Sequence, residues 1–314
     1  MAKYLLLSDV HLRGKTPIGR TDKDFLETQL KKLMQIYEIA KRKKVDAIIQ
    51  AGDLFDSPNP SYNLVSKFSD ILLLLKKSGI EFLTIPGQHD LLMRSKDIDK
   101  TAFGILHKAG LFTALNKVEN KKGLYFKDDY ICGFDFGVDK KTLKSINNEI
   151  VTGKMILVIH DMIGDKPLYP GQDIISAKSF LLKNKNFDII LCGDYHYPYH
   201  FKTKSGRHIF NTGCLVRLTR AKRDREQLPH VWFIDTFDAD ILMNKIYLED
   251  VEENPFIEKI DSVVTDDFSL MEFINNLRTE NKVGISYLDN LDIYYERYSV
   301  SKNVKKLIND TLGE

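Results

Sequence analysis

Cysteine is scarce and scattered: Cys132, Cys192 and Cys214 are the three in 314 residues, and no two share a C-x-x-C spacing. That excludes a disulfide framework, gives no thiolate zinc site and fits a reducing, cytoplasmic setting. Long apolar runs are missing too. The longest, ILLLL at 71–75, falls far short of the ~20 residues that cross a bilayer, and the run in MAKYLLLSDVH is too short for a secretory signal. A soluble protein with no membrane role is expected. Internal repeats, low-complexity tracts and a disorder-type composition are likewise absent. With 43% apolar residues, the chain can build one large domain, or one large and one small.

What is present is unevenly spread. The net charge is +2, yet fifteen acidic and seven basic residues lie after position 248, so the tail carries −8 and the first 248 residues +10. A basic body favours a polyanionic partner and an acidic tail a different one. A solvated charged surface is the plain alternative.

Hydrophobic periodicity supplies the fold class. KYLLLSD, VDAIIQ and IEFLTI read as buried strands. Between them lie two amphipathic helices, Thr21 to Lys44 and Ser61 to Lys77. This alternation predicts a parallel sheet with helices on its faces. YICGF, KMILVIH and FDIILCG continue the series; HFKTK and RHIFN flank Ser205-Gly206 as a hairpin, and VWFID and ILMNKIYL follow in antiparallel fashion. The expected architecture is α/β (α+β): two mixed β-sheets packed as a sandwich flanked by helices. Residues 1–249 form this domain. Residues 250–314 are set apart as an appendage with helices at 267 to 279 and 301 to 311.

Ligands of α/β sheets gather at the carboxyl ends of strands, and an unusual set of residues collects there. Asp9 and His11 follow the first strand, Asp53 the second, Gln88, His89 and Asp90 the third, His160 ends MILVIH, and Asp194 and His196 follow DIILC. A lone strand-end Asp is usually a turn or cap and a lone His a satisfied polar residue. Five coincident strand ends argue instead for a shared site. Oxygen and nitrogen ligands without thiolate favour Mn²⁺, Fe²⁺ or Zn²⁺, and two carboxylates among histidines can hold two ions.

The ordered pieces DVH at 9–11, GDLFD at 52–56, GQHD at 87–90, IHD at 159–161 and GDYH at 193–196 resemble the five motifs of calcineurin-like metallophosphoesterases. GDLFDSPNPS resembles especially the SbcD/Mre-type DNA-break nucleases, partners of SbcC/Rad-type ATPases. The resemblance spans roughly residues 3–235. It implies that Asp9, His11, Asp53 and His196 hold one ion and that Asp53, Gln88, His160 and Asp194 hold a second, with Asp53 shared. It makes His89 the histidine that reaches the scissile phosphate and Asp90 its orienting partner. It implies a two-metal DNA exonuclease and endonuclease, most readily with Mn²⁺ and with Mg²⁺ as an alternative. The partners would be DNA, the ATPase and a second copy of the chain.

Two positions depart from the family pattern: glutamine replaces asparagine at 88, and aspartate replaces the first histidine of the G-H-x-H motif at 194. Both fall on the second ion, which should therefore prefer hard cations, Asp194's charge holding what the longer amide reaches. Beyond the motifs, RLTRAKRDR at 217–225 offers Arg217, Arg220, Lys222 and Arg223 as contacts to a phosphate backbone. On the helix from Ser61, Leu73 and Leu74 extend the apolar face, as a helix covered on two sides would. The rival functions are a free-standing small-molecule phosphodiesterase and a non-catalytic scaffold that binds DNA or the ATPase.

Overall fold

The computed structural model describes residues 2–251, apart from 96, 118–122, 138–142, 144, 145, 147–150, 169, 170, 220, 221 and 239, together with Pro255 and Phe256. The chain divides into Met1–Glu258 and Lys259–Glu314. The helices expected at 267 to 279 and 301 to 311 lie outside the described residues.

The order is β1 (Lys3–Leu7), α1 (Phe25–Lys43), β2 (Ala47–Ala51), α2 (Tyr62–Lys77), β3 (Glu81–Ile85), α3 (Ala102–Lys108), β4 (Thr113–Ala114), β5 (Leu124–Phe126) and β6 (Asp129–Phe134). Then come β7 (Met155–His160), β8 (Ile163–Gly164), β9 (Ile175–Ser176), α4 (Ala177–Lys183), β10 (Ile189–Gly193), β11 (Tyr199–Lys202) and β12 (His208–Asn211). Last are α5 (Lys222–Glu226), β13 (His230–Asp235) and β14 (Leu242–Tyr247). One six-stranded sheet runs β14-β13-β1-β2-β3-β4 and the other β11-β12-β10-β7-β6-β5. β1 to β4 are parallel, with β13 antiparallel to β1; β6, β7, β10 and β12 are parallel, with β5 and β11 antiparallel at the edges.

Strand periodicity places the cores. Leu6, Ile49 and Leu83 of the first sheet pack against Ile131, Val158 and Leu191 of the second. The alternate residues Leu5, Leu7, Ile48 and Phe82 face α1, α2 and α3 through Leu30, Phe68 and Phe103. Leu157, Ile190 and Ile209 face Phe180 and Leu181 of α4. The central strands are buried on both faces, which is why they read as unbroken apolar runs. The expected sandwich of two mixed sheets with outer helices is the fold observed.

Two boundaries differ. The first helix begins at Phe25 rather than Thr21, because Asp24 accepts the amide of Glu27 as an N-cap, and it ends before Lys44, whose φ of 53° is left-handed. Ser61 caps α2 by accepting from the amide of Leu64, so that helix starts one residue later than expected. On α2, Leu72 and Leu75 are buried, whereas Leu73 and Leu74 are 40% and 37% exposed. Among the described residues, no helix is long and apolar enough to cross a membrane.

After β14 the chain lies against α1 and the loop beyond β1. Lys32 Nζ and Gln35 Nε2 donate to the carbonyl of Glu249, at 3.0 and 3.1 Å. The Phe256 ring stands 5.5 Å from the guanidinium of Arg20 and 5.4 Å from that of Arg217.

Because Leu191 is fully buried between the sheets, Leu191→Ala should lower the unfolding free energy by about 2–5 kcal/mol, read from the denaturant midpoint at unchanged slope.

Candidate metal centre and active site

The carboxyl ends of β1, β2, β3, β7 and β10 meet, and reaching that point demands unusual backbone. Asp9, His11, Asp53 and Asp194 have φ of 46°, 47°, 51° and 79°. This left-handed region is better tolerated by Asp and His than by branched residues, but it still costs about 1–2 kcal/mol per residue. Hydrogen bonds hold it in place. His11 N donates to Asp53 O at 2.9 Å, and Asp194 N donates to Asp9 Oδ1 at 2.9 Å. Gln50, fully buried, braces the end of β2 by donating from Nε2 to the Gly52 carbonyl at 2.5 Å and accepting the Gly52 amide at 3.1 Å. Two glycines permit the close approach: a Cβ on Gly193 would lie 1.9 Å from Ala51 O, and one on Gly87 would lie 2.1 Å from Asp53 Oδ1.

The side chains converge on Asp53. Its Oδ1 accepts the amide of His89 at 2.9 Å, while Oδ2 faces His160 Nε2 at 3.4 Å and His11 Nε2 at 3.6 Å. His11 Nε2 is also 3.2 Å from His196 Nε2, and His196 Nε2 is 3.9 Å from Asp9 Oδ1. Burial would raise the Asp53 carboxyl, yet His160 and then His11 hold it well below the usual carboxylate range. Burial pushes Asp9 upward, with Asp53 adding to the effect. Burial lowers His11 to about 3, so its ring is neutral. His160 is opposite: burial opposes its charge, but Asp53, Asp9 and Asp194 raise it to about 10. Its Nδ1 donates to Ala51 O at 2.7 Å, which turns Nε2 toward Asp53.

This environment fits divalent cations. Asp9 Oδ2, Asp53 Oδ2 and His11 Nδ1 are buried without a hydrogen-bond partner. An unsatisfied buried polar atom costs about 1–3 kcal/mol, and a cation shared by the carboxylates removes that cost. Ligand atoms of Asp9, His11, Asp53 and His196 lie within 4.8 Å of one another, and these four are the residues expected at the first ion. For the expected second set, His160 Nε2 is 3.1 Å from Gln88 Oε1, and Gln88 Nε2 donates to Asp194 Oδ1 at 2.8 Å. Neither His160 nor Asp194 belongs to a cluster of three or more His, Cys, Asp or Glu groups among the described residues.

His89 lies exposed beside this cluster, its ring 5.0 Å from that of His11 and nearly perpendicular to it. The expected pairing with Asp90 is corrected. Asp90 is fully buried, and its carboxylate accepts the amides of Phe55, Gly87 and Leu54 at 2.8, 2.9 and 3.0 Å, fixing the loops instead. Burial, then the charge of Asp53, raises it to about 7. The His89 ring is held by the carbonyl of Asp56, 3.1 Å from Nδ1. Asp56 therefore carries a role that the sequence reading did not assign, although it closes the GDLFD stretch; a backbone acceptor leaves no residue-type signal.

Two arginines of the basic stretch make contacts within the fold. Arg217 donates to Asp250 Oδ2 at 2.5 Å and to Arg225 O at 3.1 Å. Arg223 lies 3.7 Å above the Tyr197 ring and donates to the Tyr195 hydroxyl at 2.9 Å. Both guanidiniums are engaged within the fold. Arg220 and the side chain of Lys222 lie outside the described residues. Beside the centre a cleft of about 700 Å³ is lined by Gln88, Asp194, His196, Tyr197, Arg13 and Lys15, among others.

A strand-end cluster of this composition on a two-sheet sandwich defines a metal-dependent phosphoesterase. The chain belongs to the calcineurin-like phosphoesterases, whose family pattern matches residues 2–198. Members of this family use a dimetal centre, and the protein is a hydrolase of phosphate esters. Its similarity to individual proteins extends further along the chain. A DNA double-strand break repair protein Mre11 of Methanococcus maripaludis is 24% identical over 308 residues, covering 95% of this chain and 80% of that protein. The Mre11 of Sulfurisphaera tokodaii is 28% identical over 314 residues, covering 96% and 75%. Among solved structures, a dimetal phosphatase from Danio rerio aligns over 78% of this chain and 96% of its own, with TM-score 0.45 and 11% identity.

Gly193→Ala drives a methyl group into the Ala51 carbonyl of the facing sheet. It should destabilise the fold by roughly 1–3 kcal/mol and weaken the binding of divalent cations, measured by thermal denaturation and calorimetry.

Proposed function

We propose that this chain is a metal-dependent DNA exonuclease and endonuclease, the nuclease subunit of a cytoplasmic SbcC/Rad-type repair and recombination complex. The observation that carries the reading is the buried Asp9, His11, Asp53 and His196 cluster with its unpartnered carboxylate oxygens, in a chain similar to Mre11 proteins over nearly its whole length. Asp9, His11, Asp53 and His196 would hold one ion; Asp53, Gln88 and His160 contribute to a second, with Asp53 shared. Divalent ions bound there, Mn²⁺ in the first instance, supply the charge that draws in a phosphodiester and makes water acidic enough to attack it. His89 does the protein's own proton chemistry. With Nδ1 against the Asp56 carbonyl, Nε2 is the edge that donates to the departing sugar oxygen. Asp90 keeps the loops carrying Asp53 and His89 in register.

A free-standing phosphodiesterase acting on small molecules is the second reading, favoured by the engagement of Arg217 and Arg223 within the fold. Hydrolysis of linear DNA and of bis-p-nitrophenyl phosphate with Mn²⁺ separates the two. The nuclease reading expects both to be cleaved, with kcat for DNA reduced about 10²–10⁴-fold in His89→Ala at unchanged Mn²⁺ binding. Cleavage of the small ester alone would establish the second reading.

Residues 250–314 are proposed as a reduced cap and contact region for the ATPase. The half-exposed Leu73 and Leu74 support self-association through α2. Wild-type protein should sediment as a dimer at micromolar concentration, and a Leu73→Glu, Leu74→Glu double variant as a monomer with the circular dichroism spectrum of the folded wild type and a thermal midpoint that no longer rises with protein concentration.

A further inference from the structure

Asp194 stands where the family pattern has a histidine ligand, and the hydrogen bonds around it assign a different task. Its Oδ1 accepts from Gln88 Nε2 at 2.8 Å. A carboxylate only accepts, so the amide nitrogen must face Asp194 and the amide oxygen must face the other way. That oxygen lies 3.1 Å from His160 Nε2, which is in turn 3.4 Å from Asp53 Oδ2. Two ligand atoms each about 2.1 Å from one ion are roughly 3.0–3.4 Å apart at octahedral or tetrahedral angles. His160 Nε2 is therefore spaced from both Asp53 Oδ2 and Gln88 Oε1 as one ligand of a cation is from its neighbours, whereas Asp194 Oδ1 is taken up by the NH₂ edge of the same amide.

We propose that Asp194 is a positioning residue rather than a ligand: it locks the Gln88 amide with its oxygen toward the second ion, leaving that ion three protein ligands. This inference rests on the two-ion reading above. The two departures at 88 and 194 then form one unit. Glutamine reaches both His160 and Asp194, and Asp194 removes the flip that would aim an NH₂ group at the cation. Asp194 is itself held in place, its amide donating to Asp9 Oδ1 at 2.9 Å, so the unit is anchored to the first site. Partners that orient a ligand typically alter metal affinity by about 10–100-fold when removed.

Two substitutions separate a positioning role from ligation. Asp194→Asn keeps an oxygen that accepts from Gln88 but lacks the charge. Asp194→Gly removes the acceptor, and glycine suits the φ of 79°. Mn²⁺ affinity and stoichiometry, measured by calorimetry and by the magnetic coupling of paired ions in electron paramagnetic resonance, are the readouts. Apo thermal midpoints verify folding. Wild type should bind two ions. Asp194→Asn should bind the second within about threefold of wild type, and Asp194→Gly at least about tenfold more weakly, with the first ion unaffected in both. Loss of the second ion in Asp194→Asn to the same extent as in Asp194→Gly would overturn the proposal in favour of charged ligation. Wild-type affinity in both variants would overturn it as well. A wild type that binds one Mn²⁺ or none overturns the two-ion reading itself and this proposal with it.

Discussion

Everything chemical in this molecule depends on one close approach, that of the Gly193 backbone to the carbonyl of Ala51. It brings the carboxyl end of β10, in one sheet, against that of β2, in the other, at a separation that leaves no room for a Cβ. A hydrogen bond from the Asp194 amide to the Asp9 carboxylate crosses the same seam. The centre is therefore not carried by either sheet alone. Asp9, His11, Asp53, Gln88 and His89 come from the first sheet, and His160, Asp194 and His196 from the second. The apolar layer between the sheets, with Leu6, Ile49 and Leu83 opposing Ile131, Val158 and Leu191, sets the distance at which carboxylates and imidazoles meet.

That division of labour explains the electrostatics. Carboxylates and imidazoles are crowded into a place from which water is largely withdrawn, and their proton affinities move in opposite directions. His11 becomes neutral while His160 gains charge from Asp53, Asp9 and Asp194. A proton on His160 and a cation near Asp53 answer the same demand, since both offset buried negative charge. The histidine proposed for proton transfer lies at the edge of this crowd. His89 sits at the exposed rim, fastened by a neutral backbone carbonyl.

Much of this was legible in the sequence, for identifiable reasons. Strands buried on both faces show as apolar runs, and candidate ligand residues fall immediately after them, so the sandwich and one shared strand-end site followed from strand ends, while the grouping of Asp9, His11, Asp53 and His196 came from the resemblance of the motifs. What could not be read were contacts made by backbone or decided by pairing. Asp56 acts through its carbonyl, and Asp90 serves amides rather than an imidazole. Arg217 and Arg223 resembled free basic residues until Asp250 and Tyr197 were placed beside them. The orientation of the Gln88 amide is set by a residue 106 positions away.

The left-handed residues Asp9, His11, Asp53 and Asp194 make the centre a liability to the fold that houses it. At about 1–2 kcal/mol each, their combined strain is a large fraction of the ~5–15 kcal/mol by which domains are usually stable. The hydrophobic layers must therefore be better than the fold alone requires. Sequence tolerance at these four positions is correspondingly lopsided. At Asp9, His11 and Asp53, asparagine or glycine can empty the site of its chemistry and leave the backbone at ease, whereas at all four valine or isoleucine would be refused by the chain before any ion or substrate was consulted.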